Sequence, residues 1–160
     1  EGTRPTPDRM RESLFSILQT RLEGCVFLDA YAGTGAVGIE AISRGAKLGI
    51  FVEKNRGAAE VLKENLHALK AEERARVFTG KALDALRHQQ ADIVFLDPPY
   101  ELEDEYRKAL DWLGEHPAPL VLAQHSVRLK LAEAYGQLTR VRELRQGDNV
   151  VSFYEPISAT

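Results

Sequence analysis

The stretch Asp29-Ala30-Tyr31-Ala32-Gly33-Thr34-Gly35-Ala36-Val37-Gly38 constrains the fold more than any other part of the chain. Glycines at this spacing let a backbone turn sharply out of a strand and into a helix, and they allow close approach to a ligand. The run before it, Cys25-Val26-Phe27-Leu28-Asp29, reads as a buried strand, and the residues from about Ala36 to Ser43 read as a helix. A strand, a glycine turn and a helix in this order form one unit of a parallel α/β sheet.

The same alternation continues along the chain. Leu48 to Glu53 predicts a second strand, and Arg56 to Lys70 carries helical spacing in Val61, Leu62, Leu66 and Leu69. Arg76 to Thr79 predicts a third strand, Ala82 to His88 a short helix, and Asp92 to Asp97 a fourth strand. A helix around Asp104 to Leu113 and a strand at Leu120 to Ala123 follow. Leu138–Glu143 and Val150–Tyr154 flank the turn Gly147-Asp148-Asn149 and predict a closing antiparallel hairpin. Ahead of all these, Pro7 to Arg21 predicts a helix capped by Thr6, with Met10, Leu14, Phe15 and Leu18 on its apolar face. The expected architecture is therefore α/β, with a mostly parallel sheet and an antiparallel end.

At 160 residues the chain suits a single domain, 1–160. It has no apolar run long enough for a membrane span, no signal-peptide pattern at Glu1 to Pro5, and one cysteine, Cys25. These features point to a soluble protein of the reducing cytoplasm. The net charge of −3 provides no global attraction for nucleic acid, so such a partner would have to be held by local basic surface. His67, His88, His116 and His125 lack metal-ligand spacing with each other or with Cys25, and no metal is expected. Cys25 and Trp112 read as packing residues.

The glycine motif alone fits either a nicotinamide dinucleotide or S-adenosylmethionine, and Glu53 at the end of the next strand is placed to accept ribose hydroxyls in both cases. Asp29 tilts the choice. A carboxylate there would repel a pyrophosphate and attract the cationic amino end of S-adenosylmethionine.

Asp97-Pro98-Pro99-Tyr100 stands at the carboxyl end of the fourth strand, where open α/β sheets bind substrates. Consecutive prolines fix the backbone after Asp97 and leave carbonyls free as acceptors. An exocyclic base amine is a weak nucleophile because its lone pair is delocalised into the ring. The Asp97 carboxylate and the Pro98 carbonyl can hold its two hydrogens and stabilise the charge that develops on nitrogen. Tyr100 can stack on the base.

The residues resemble a known family over nearly the whole chain. Arg4-Pro5-Thr6-Pro7-Asp8-Arg9-Met10-Arg11-Glu12-Ser13-Leu14-Phe15-Ser16-Ile17-Leu18, the segment Leu28 to Ala41 followed by Ser43-Arg44-Gly45-Ala46, and Phe95 to Tyr100 are similar to motifs of the bacterial 16S ribosomal RNA guanine-N2 methyltransferases. The resemblance implies a Rossmann-like class I methyltransferase with a seven-stranded sheet and helices on both faces. It implies S-adenosylmethionine as methyl donor, S-adenosylhomocysteine as product, and a monomer acting on 16S rRNA within a small ribosomal subunit or assembly intermediate. Under it, Asp29, Ala30, Gly33, Gly35, Glu53, Lys54 and Ala82 surround the cofactor. Asp97, Pro98 and Tyr100 are catalytic, and Arg4, Arg9, Arg11 and Pro99 meet the substrate.

Three departures are visible. The family usually begins with a basic hairpin, and this sequence starts at the segment after it. Lys81 precedes Ala82 where an acidic or amide residue is usual, and Gln124 stands where a glutamate is expected. Arg140, Arg142 and Arg145 read as one solvated face of a late strand. Alternative readings are an adenine-N6 DNA methyltransferase, a nicotinamide-dependent oxidoreductase, and a non-catalytic module that binds cofactor or RNA.

Overall fold

A computed structural model of the chain describes residues 8–99 and 102–158. Helix α1 (Asp8–Leu22) leads into β1 (Val26–Asp29), α2 (Ala36–Ser43), β2 (Leu48–Glu53) and α3 (Arg56–Ala68). A short 3-10 turn, β3 (Ala75–Thr79), α4 (Ala82–His88), β4 (Ile93–Leu96) and α5 (Asp104–Glu115) follow. The chain closes through β5 (Leu120–Ser126), β6 (Ala134–Tyr135), β7 (Leu138–Gln146) and β8 (Asn149–Pro156). The expected cap and first residue of α1, Thr6 and Pro7, lie outside the described residues.

One sheet runs through the molecule in the order β3-β2-β1-β4-β5-β8-β7-β6. β1 pairs in parallel with both β2 and β4, β2 with β3, and β4 with β5, while β8 and β7 are antiparallel. This is the Rossmann-like methyltransferase architecture, with the order reversing between β1 and β4. In such sheets the crevice beyond the carboxyl ends of the strands at that reversal is where ligands bind.

Strand alternation divides the core into two layers. Leu28, Ala30, Ile50, Val52, Val94, Leu96, Val121 and Ala123 face α4 and α5, which bury Ala85, Leu86, Tyr106, Leu110 and Leu113 against them. Phe27, Ile93, Phe95, Leu120, Leu122 and Phe153 face α1, whose Met10, Leu14, Phe15, Leu18 and Leu22 form the stripe expected from their spacing. α3 packs Leu62 and Leu66 against Phe51 on this second face. The central strands are apolar on both sides because both sides are covered.

The sheet has eight strands rather than seven. The extra strand, β6, pairs Ala134 with Thr139 and Tyr135 with Leu138. Two residues are too short to show a period in sequence, and β6 exists through a tertiary contact. Its backbone lies against the end of α5, where Gln137 N–H donates to the Gly114 carbonyl at 2.8 Å. A Cβ on Gly114 would fall 2.3 Å from the Tyr135 carbonyl oxygen.

The late arginines are also corrected. A bulge in β7 between Arg140 and Arg142 sets Arg140 opposite Tyr154 and Arg142 opposite Phe153, so the two lie on opposite faces. Arg145, opposite Val150, returns to the face of Arg140. Arg142 lays its guanidinium over the Phe153 ring at 5.8 Å, and Arg140 reaches Glu143 at 3.6 Å.

Because the Gly114 contact is with backbone, it has little room to relax. Gly114→Ala is expected to cost about 1–3 kcal/mol of stability, measured by denaturant unfolding. A midpoint equal to that of the parent chain would show that β6 docks elsewhere.

Candidate active site

The two loops at the sheet reversal begin with Asp29 and Asp97. Ala30 N–H donates to the Phe95 carbonyl at 3.0 Å, tying the end of β1 to β4 just below Asp97. Asp29 is 2 % exposed, and its Oδ2 accepts the Gly38 N–H of α2 at 3.2 Å. Glu53, at the end of β2, is 7 % exposed and uses both carboxylate oxygens on backbone. Its Oε1 accepts from Gly33 N–H at 2.8 Å and its Oε2 from Asn55 N–H at 2.9 Å. Each oxygen keeps a second lone pair for a ligand hydroxyl.

The glycines are needed for two different reasons. Gly33 and Gly35 have φ of 57° and 93°, the left-handed region that permits the tight entry into α2. Gly38 is required for packing, since a Cβ there would lie 2.4 Å from Phe51 Cε2. The third glycine of the fingerprint thus seats α2 against β2.

Beside this corner opens a cleft of about 960 Å³, within the size range of small-molecule sites. Ala30, Glu53, Lys54, Ala82 and Pro99, all singled out from sequence, line it. Asp29, Gly33 and Gly35, also singled out from sequence, are not among the residues that line it; Gly33 meets the cleft through its bond to Glu53. Pro98 is buried and Asp97 half-buried. The Asp97 carboxylate acts on Asp29 through space, as does that of Glu53. Asp97, at the end of β4, therefore stands close enough to Asp29 for the two charges to interact.

Tyr100 and Arg4 lie outside the described residues. Arg9 is exposed on the first turn of α1, and Arg11 is held by Asp8 at 3.2 Å and Glu40 at 3.7 Å. Lys81 lines the cleft next to Ala82. Gln124 is wholly buried at the end of β5, and its amide has no hydrogen-bond partner among the described residues. Among the described residues no group of His, Cys, Asp and Glu could hold a metal, and no helix is long and apolar enough to cross a membrane.

A family model described as conserved hypothetical protein 95 matches residues 1–155. The chain belongs to this family. YlbH of Bacillus subtilis, whose name assigns it provisionally as an rRNA methyltransferase, is 33% identical over 96% of this chain and 88% of its own length. Ribosomal RNA small subunit methyltransferase D of Haemophilus influenzae is 44% identical over 62% of this chain. That match spans 54% of the Haemophilus protein, about half its length. A solved Escherichia coli structure, provisionally titled as the methyltransferase yhhF, superposes with a TM-score of 0.83 at 30% identity, covering 96% of this chain and 88% of its own. An RNA methyltransferase of Salinibacter ruber, solved with S-adenosylhomocysteine, shares the fold at a TM-score of 0.77 and 17% identity, over 98% of this chain and 97% of its own.

This member of the conserved hypothetical protein 95 family builds one wall of its cleft from residues that sequence reasoning passed over. Tyr31 donates its hydroxyl to Glu105 of α5 at 2.9 Å, and both line the cleft with Leu102 and Lys108. Burial, and then the charge of Glu105, push the Tyr31 phenol above its ordinary range. The only sequence signal was position: Tyr31 lies inside the glycine motif, and Glu105 is in the first turn of the helix that follows Asp97-Pro98-Pro99-Tyr100. Cys25 is buried, and burial with the nearby Asp92 charge pushes its thiol up to about 11, which suits a packing role.

Burial is the largest effect on Asp29, and the Gly38 N–H bond only partly opposes it. With Asp97 and Glu53 adding repulsion, the Asp29 carboxyl is pushed from 3.8 to about 7. A carboxyl whose pKa rises on folding takes up a proton when the chain folds. Its stabilisation is full below the unfolded value and is lost as pH rises through about 7. Asp29→Asn should therefore flatten the fall in melting temperature between pH 5 and 8 that the ligand-free parent chain shows, on the order of several degrees. Parallel curves for the two chains would remove the charge from Asp29.

Proposed function

We propose that this protein transfers a methyl group from S-adenosylmethionine to the exocyclic N2 amine of a guanine in 16S rRNA of the small ribosomal subunit. The observation that carries this reading is the convergence of Asp29, Glu53 and Asp97 at the sheet reversal, beside a cleft that Pro99 and Ala82 also line. Three carboxylates in one half-dry corner disfavour a pyrophosphate and favour a cationic ligand. The fold and the rRNA methyltransferase names of the relatives support the same choice over a nicotinamide enzyme.

S-adenosylmethionine, when bound, supplies an electrophilic methyl group on a sulfonium. The residues that fit it are Glu53, with lone pairs for ribose hydroxyls, Asp29 for the cationic end, and Ala30, Lys54 and Ala82 along the cleft wall. Asp97 and the Pro98 carbonyl accept the two hydrogens of the target amine. In doing so they turn its lone pair toward the methyl donor and stabilise positive charge on nitrogen. The proline pair keeps both acceptors in place before the base arrives, so little reorganisation is needed during reaction. Tyr100 is assigned to stacking on the base, and Arg4 and Arg9 to the RNA backbone. Arg11 is assigned to the substrate side of α1, where its pairing with Glu40 also anchors α1 to α2.

The base must leave its stack to reach this loop, at a cost of a few kcal/mol, so an unpaired loop guanine is the favoured target. The protein is assigned to the cytoplasm, where its ribosomal substrate is assembled, and to action as a monomer.

Incubating the chain with radiolabelled S-adenosylmethionine and fractionated ribosomal subunits should place label in small-subunit RNA, recovered on digestion as N2-methylguanosine. Asp97→Ala should lower the rate at least tenfold and up to about a thousandfold, with S-adenosylhomocysteine affinity little changed. Recovery of N6-methyladenine, or label in duplex DNA alone, would move the reading to the DNA-amine alternative.

A further inference from the structure

A second depression, of about 830 Å³, lies at the opposite end of the sheet. It is lined by Lys47 before β2, Arg87 and His88 at the end of α4, Asp92 before β4, and Trp112 and His116 at the end of α5. Neither the cofactor nor the transfer chemistry uses these residues.

Their arrangement is layered. The His116 ring stacks on Trp112 at 3.7 Å between centroids and 22° between planes. The Arg87 guanidinium also lies over Trp112, 5.5 Å from the ring centre. Trp112 is half-buried, while His116, Arg87, His88 and Lys47 are exposed. The structure therefore holds an aromatic and cationic stack at the surface.

The lining is positive on balance, with Lys47 and Arg87 against Asp92. Lys47 and Arg87 form no ion pair among the described residues, whereas Arg21, Arg44, Arg107 and Arg140 each do. The one carboxylate in the lining, Asp92, turns its Oδ2 to the Val26 N–H at 2.8 Å. His88 Nδ1 and His116 Nδ1 lie 2.7 Å and 3.2 Å from the carbonyls of Asp84 and Trp112. A carbonyl only accepts, so each Nδ1 carries the proton and each Nε2 is left for another partner.

Two helices join this depression to the cofactor cleft. The first turns of α4 and α5 supply Ala82, Leu83, Glu105 and Lys108 to the cleft, and their last turns supply Arg87, His88 and Trp112 to the depression. At about 1.5 Å per residue, α5 spans roughly 18 Å.

We propose that this depression is a second RNA-contact site. It would hold a strand of the substrate RNA near the target nucleotide, with Lys47 and Arg87 on phosphates and the exposed ring of His116 as a base-stacking platform. Unpaired cations beside an aromatic stack match a phosphate backbone with unstacked bases. The proposal rests on the reading of RNA as substrate, and it gives a chain of net charge −3 a local means of holding a polyanion.

The test is fluorescence anisotropy of 3′-fluorescein-labelled small-subunit rRNA, titrated with the full chain over a range of KCl. Neutralising both cations, K47Q with R87Q, should weaken binding at least about fivefold at 0.1 M salt. It should also lower the slope of log affinity against log salt by about 1.5, two contacts at 0.7–0.9 each. His116→Ala should weaken binding by about fivefold or more with the slope kept, as loss of a stacked base requires. S-adenosylhomocysteine affinity should match the parent in all variants, and each should still unfold cooperatively. Parent-like RNA affinity and slope in these variants, or a parent chain that binds no RNA, overturns the proposal. RNA binding that depends on the depression but yields no methyl transfer leaves this site standing and rejects the activity proposed for the cleft.

Discussion

The bidentate hold of Glu53 on two backbone N–H groups is the interaction on which the rest of the site depends. Gly33 belongs to the loop after β1, and Asn55 to the entry of α3, so one buried carboxylate fixes both loops against the end of β2. Asp29 does the same for the start of α2 through Gly38. Buried carboxylates are costly unless their hydrogen bonds are satisfied. Here the partners are backbone donors that a strand-to-helix turn leaves free. The acids thus stabilise the loop geometry and also give the corner its negative potential. A ligand with a cationic end meets a site already arranged for it, and the repulsion from Glu53 and Asp97, which adds to burial in raising the Asp29 pKa, is relieved when positive charge arrives.

Most of the fold and one side of the site were legible because they arise from local pattern. Short continuous apolar runs such as Ile93 to Leu96 marked the strands, helical spacing such as Met10, Leu14 and Leu18 marked the helices, and the glycine motif marked the turn after the first strand. What stayed hidden depended on tertiary contact. β6 forms only because α5 ends on Gly114, and no two-residue segment announces a strand. The bulge that sends Arg140 and Arg142 to opposite faces adds a residue without changing composition, so simple alternation misassigns them. Tyr31 and Glu105 meet across 74 positions; each alone reads as an ordinary residue of a loop or a helix. Trp112 reads as packing, and it is half-buried, yet its stack with His116 and Arg87 joins two helix ends that sequence order keeps apart.

The departures from the family pattern also acquire physical content. Lys81 lines the cleft beside Ala82, so a cation stands in its wall. Gln124 puts a neutral amide, wholly buried and without a hydrogen-bond partner among the described residues, in β5, the strand beside β4.

Net charge was a weak guide here because it says nothing of where each charge stands. The acids that matter are buried at the carboxyl ends of the central strands, where a small cation is wanted. Lys47 and Arg87 stand unpaired at the other end, where they can meet solvent or phosphate. Coulombic interaction between exposed charges fades over about 8–10 Å at physiological salt. A phosphate backbone at the far rim would therefore feel those cations rather than the sum over 160 residues. The parallel course of α4 and α5 sets the distance between the two ends, and so, on the proposed reading, how far from the target amine a second grip on the same strand would lie.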